Sequence, residues 1–114
     1  MDTINRSALT VVPAKPFLDW LQHVDSTSAE LTLEDLRQDP GIYLLPEYDT
    51  DDQAERLLSQ CHGEIFEEQL DGWHRARSVW PADRSFDTFR RWFEYSFHSL
   101  IYDLCDDRLT HDDI

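Results

Sequence analysis

The chain has 114 residues, which suits one domain spanning 1–114 and excludes two ordinary ones. Its 24 acidic and 10 basic side chains give a formal charge of −14, which repels phosphate and argues against nucleic acid and anionic membranes as partners. Forty per cent of residues are hydrophobic and no apolar run approaches the ~20 residues of a membrane helix, so neither disorder nor a membrane span is expected.

The charge is uneven. Residues 47–71 carry nine acids against Arg56 alone, whereas residues 73–92 carry Arg75, Arg77, Arg84, Arg90 and Arg91 against Asp83 and Asp87. An acidic block followed by an arginine-rich one suggests neighbouring elements that partly neutralise each other. The two cysteines, Cys61 and Cys105, are too few for a disulfide framework. With no basic-then-apolar leader in view, the expected location is a reducing cytoplasm.

Residues 1–6 read as a loose end. Ser7 to Val12 is rich in β-branched residues and reads as a strand ended by Pro13. Pro16 suits a first helical turn, and Phe17, Leu18, Trp20, Leu21 and Val24 follow on one face. Thr32 with Asp35 opens a short helix that Asp39-Pro40-Gly41 stops. Ile42 to Leu45 is a continuous apolar run, read as a buried strand that Pro46 closes or marks as an edge.

Thr50 with Gln53 resembles a second capping box, with Asp51 and Asp52 favoured by the helix dipole. The longest helix follows over about 50–70 and ends near Asp71-Gly72, where glycine can cap it. Trp73 to Arg84 reads as an irregular connection anchored by Trp73 and Trp80. Ser85 caps a helix carrying the stripe Phe86, Phe89 and Phe93. It is expected to run to about Glu94 and give way to a strand from about Ser96 to Leu104; the alternative for 95–104 is continued helix. Residues 106–114 read as a frayed acidic tail.

The expected fold is α+β, a small three-stranded sheet with helices packed on it in the order β-α-α-β-α-α-β. The sheet has two strands if 95–104 is helical.

Candidate chemistry is sparse. Asp49-Thr50-Asp51-Asp52 begins like a calcium loop, but the sixth position is Ala54 and the twelfth Gln60, where glycine and glutamate are needed. Cys61-His62 with Glu64, Glu67 and Glu68 offers ligand types without metal-site spacing. His62, His74 and His98 are candidate bases, and Cys61 and Cys105 candidate nucleophiles, but no recognised nucleophile motif accompanies them. His98 with Asp103 is the pair to inspect first, although neither helix nor strand spacing aligns them. Isolated Gly41, Gly63 and Gly72 make no phosphate loop. The aromatic-basic stretch Trp73 to Trp92 suits core and covering arginines, or an interface. No catalytic, cofactor-binding or metal residue is therefore assigned.

Several strings run together: Pro16-Phe17-Leu18-Asp19-Trp20-Leu21, Tyr43-Leu44-Leu45-Pro46-Glu47, Glu64-Ile65-Phe66-Glu67-Glu68 with Trp73, Trp80-Pro81, Phe89 with Trp92-Phe93, and Asp103-Leu104. On these the chain resembles a group of small uncharacterised bacterial proteins. The resemblance implies a bacterial cytosolic protein and carries no mechanism. The leading expectation is a non-enzymatic acidic interaction or regulatory module whose partner is a basic protein or a second copy. The alternatives are a small enzyme or metal-binding protein using histidine and carboxylate groups and, more weakly, an immunity-type or DNA-mimic protein.

Overall fold

The computed structural model describes residues 1–112. Its elements are β1 (Asp2–Thr3), β2 (Ser7–Pro13), α1 (Lys15–Val24), α2 (Leu33–Leu36), β3 (Gly41–Leu45), α3 (Asp51–Trp73), α4 (Phe86–Trp92), β4 (Phe93–His98) and β5 (Tyr102–Asp103). Single 3-10 turns lie at Ser26–Ser28 and Arg77–Val79. The fold is α+β, and β2 to β4 with the four helices follow the expected order.

β2 is central in an antiparallel sheet of order β3-β2-β4. Both neighbours run against β2, so β3 and β4 are parallel to each other, and α3 and α4 form the crossover between them. Helix α3 has 23 residues, about 35 Å at 1.5 Å per residue. Near its start Tyr95 of β4 donates to Glu55 at 3.2 Å; near its end Tyr43 of β3 donates to Glu68. The helix thus crosses the sheet from β4 to β3.

The core lies between this sheet face and the helices. Leu9, Val11, Leu45 and Phe93 point inward and pack with Phe17, Leu21, Leu58, Ile65, Phe66, Leu70 and Phe89. Phe66 stands edge-on to Phe93 with centroids 5.1 Å apart, and Phe93 lies 4.8 Å from Phe89. Each such ring contributes about 2–3 kcal/mol through burial. No buried side-chain nitrogen or oxygen among the described residues lacks a hydrogen-bond partner.

Local signals set several boundaries. Thr32 and Asp35 make the capping box of α2, and Ser85 Oγ accepts from Thr88 N at the start of α4. At α3, Thr50 Oγ1 accepts from Gln53 N, but the Gln53 side chain accepts from Asp49 N, one residue earlier than a capping box requires. Gly72 is not a cap: α3 continues to Trp73, no described glycine has positive φ, and His74 N still donates to Leu70 O at 2.8 Å.

Three expectations are corrected. The strand predicted from Ser96 to Leu104 begins at Phe93, because Phe93, Tyr95 and Phe97 alternate into the core. It breaks after His98 and resumes only at Tyr102–Asp103. Residues 1–6 are not simply loose: Thr3 pairs with Tyr102, and Ile4 N donates to Ile101 O. Ala8 pairs with His98, so the amino-terminal strand has one extra residue between the two ladders, and β1–β5 is a separate two-stranded ribbon beyond a break in the pairing. Third, β3 is not a buried strand. Its pattern alternates, with Ile42 and Leu44 exposed, because the helices cover one sheet face only. In the tail the described residues 106–112 are exposed and form no element; 113–114 lie outside the described residues.

Candidate functional site

The sheet face away from the helices is uncovered, and the strand register arranges it as a grid. One row is Leu44–Ala8–His98 and the next Ile42–Thr10–Ser96. A third holds Val12 beside Glu94, with Pro40 lining the same groove. The face is therefore apolar along β3, small in the centre and polar along β4. Ile42 is 69% and Leu44 46% exposed, although both occupy strand positions. Leu44 also lines a groove with Ile4, Ile101, Tyr102 and Leu109, so apolar surface extends onto the ribbon and the tail.

The polar column carries a hydroxyl–imidazole cluster. Thr10 Oγ1 lies 2.6 Å from Ser96 Oγ and 3.2 Å from His98 Nε2, and Ser96 Oγ lies 3.4 Å from the same nitrogen. The cluster faces a shallow groove of about 470 Å³. A serine beside an imidazole is the beginning of a nucleophile–base pair. A working dyad also needs a group that orients the imidazole and donors for an oxyanion. No side chain among the described residues bonds His98 Nδ1, and the groove excludes no water.

The remaining candidates lie apart. Asp103, proposed as the partner of His98, sits on the ribbon and accepts from Cys105 N at 2.9 Å. His62 of α3 has both ring nitrogens against carbonyl oxygens, Ser59 O at 2.8 Å and Arg84 O at 3.2 Å. It ties α3 to the segment before α4. Burial and the neighbouring Glu64 push the Cys61 thiol upward, which disfavours the thiolate a nucleophile or metal ligand needs. The His74 ring stands edge-on to Trp20. Among the described residues no group of three His, Cys, Asp or Glu side chains is arranged to hold a metal ion. Asp51 and Asp52 lie in the first turn of α3, as the dipole favours.

The arginine-rich stretch does meet the acidic helix. Arg77 and Arg84 both approach Glu67, at 3.4 and 3.5 Å, and Arg75 lies 3.8 Å from Asp71. Trp80 is buried at 9% and its indole donates to His74 O, so it is an anchor as expected. Trp73 is 36% exposed instead, on the last turn of α3. It lines a groove of about 390 Å³ with Asp39, Gly41, Glu68 and Gln69, beside the start of β3. A Cβ at Gly41 would lie 2.6 Å from Gln69 Nε2 and 3.0 Å from the Tyr43 ring, so a larger residue there would displace the end of the Gln69 side chain. Sequence periodicity carried no sign of this groove, because its residues come from two distant segments.

No family model, curated protein or solved structure matches the chain. No described helix is long and apolar enough to cross a membrane.

Proposed function

We propose that the protein is a non-enzymatic interaction module that offers the open face of its sheet to a protein carrying basic residues. The observation behind the reading is the apolar column of Ile42 and Leu44, uncovered on the outer face of β3, while Asp39 and Glu68 line a groove on the helix side of the start of the same strand. Apolar anchors in a charged surround are the usual anatomy of a docking surface. A partner with basic residues suits the −14 charge, while nucleic acid does not. The reading places the protein in a reducing bacterial cytoplasm. Two cysteines without a disulfide and the residue strings noted above support that placement. Affinity capture at moderate salt tests it, comparing the natural chain with an Ile42→Asp/Leu44→Asp variant. A specific polypeptide held by the first and lost by the second is expected; identical recovery from both contradicts the reading.

A second reading, a small hydrolytic enzyme, is favoured by one contact, that of Ser96 and Thr10 with His98. It requires covalent labelling of Ser96 by a fluorophosphonate probe, abolished in His98→Ala; an unlabelled Ser96 removes it. The DNA-mimic reading draws little support, since Glu67 and Asp71 are occupied by arginines where a mimic needs free carboxylates in a row.

A further inference from the structure

We propose that the outer edge of β3 is the docking line, and that its occupant is an extended segment of a partner protein that adds a strand there and sets a lysine or arginine into the groove of Asp39, Glu68 and Trp73. The inference rests on the interaction reading above and gives it a place and a partner chemistry.

Three observations converge. β3 is an edge strand: it pairs with β2 on one side, and among the described residues no backbone bond reaches it from the other. Proteins usually blunt such an edge with lysine, inward charge, bulges or proline inside the strand. β3 has none of these in Gly-Ile-Tyr-Leu-Leu, and Pro40 and Pro46 merely flank it. By contrast the other edge strand, β4, carries Glu94 and His98. Next, Ile42 and Leu44 stand exposed on the outer face, where alternate side chains of an added strand would meet them.

Charge then selects the occupant. At the Pro40 end Asp39 and Glu68 face a groove beside the half-open Trp73 ring, which suits a cation by charge and by its π face. At the Pro46 end the groove carries Glu47 together with Arg56, so it has no such preference. A second copy is disfavoured. Pairing β3 with itself antiparallel about Tyr43 sets Asp39 opposite Glu47 of the second copy at both ends, and like charges directly opposite destabilise a pair. Each copy also carries −14 overall.

The test uses the full chain and a display library of short random peptides. Enriched peptides should alternate apolar residues and carry a lysine or arginine at one end. Bound to the protein, they should slow amide exchange in Gly41–Leu45. N-methylation of alternate peptide amides should abolish binding, and Asp39→Lys, on an exposed side chain, should weaken it about tenfold, the scale of one lost charge-assisted contact. Leu44→Lys, which places a charge on the edge strand, serves as a second variant. Peptides that bind but protect another segment, or that tolerate N-methylation, overturn strand addition and leave the interaction reading standing. Failure to enrich any peptide, together with equal capture by the natural and Ile42→Asp/Leu44→Asp chains, overturns both. A dimer in sedimentation with Gly41–Leu45 protected assigns the edge to a second copy and overturns the partner.

Discussion

Several side chains have chemistry set by their immediate neighbours. Asp83 accepts from Thr88 Oγ1 at 2.7 Å and from Ser85 N at 3.0 Å, and these bonds hold its carboxyl down at about 2, below the ordinary 3.8. A carboxylate depressed on folding stabilises the native state above its unfolded value, and that contribution is lost as pH falls through the folded value. Asp83→Asn should therefore lower the melting temperature at neutral pH, and the difference should shrink between pH of about 4 and about 2. Thermal scans across that range check it. The two thiols should also separate. Cys105 is exposed, whereas Cys61 is half-buried with its thiol pushed upward by burial and Glu64. A thiol reagent near pH 8 should modify Cys105 first, and mass mapping of partially labelled protein reads the order. Tyr43 is likewise pushed up, by burial and then by its bond to Glu68, so its phenol stays protonated where an ordinary tyrosine ionises.

At the scale of elements, caps and stripes were readable because they depend on residues three or four apart. Thr32, Thr50 and Ser85 all cap helices as their spacing indicates. Ser85→Ala should cost about 1 kcal/mol, measurable by denaturant unfolding. What could not be read depends on distant partners. Phe93 closes the helical stripe and also begins the alternation of β4, so its neighbourhood fits both periods until the core decides. The apolar run of β3 reads as buried on both faces, yet only a second layer could bury Ile42 and Leu44, and the described residues place none there. The difference between neighbours is testable. Leu45→Ala should cost about 2–5 kcal/mol, while Leu44→Lys should stay within about 0.5 kcal/mol. The groove of Asp39, Glu68 and Trp73 was illegible for the same reason, because it forms where α3 returns over the start of β3.

Across the whole molecule the acidity divides into two parts. Glu67 and Asp71 meet arginines within the fold, and Glu55 and Glu68 accept from tyrosines of the sheet. Asp39, Asp51, Asp52 and Glu64 remain exposed, as do the described tail acids Asp106, Asp107 and Asp112. The helices and the buried aromatics lie on one side of the sheet; the other side keeps Ile42 and Leu44 in water and pairs Glu94 with Arg37 at 3.3 Å. Exposed apolar patches of this kind are where the proposed partner would dock. The central claim is that β3 is uncovered in the free chain, and amide hydrogen exchange of the partner-free monomer tests it most directly. The account predicts that amides of Gly41–Leu45 not facing β2 exchange rapidly, while those of β2 exchange only through global unfolding. Protection of every β3 amide to the level of β2 would contradict it, because the edge would already be occupied.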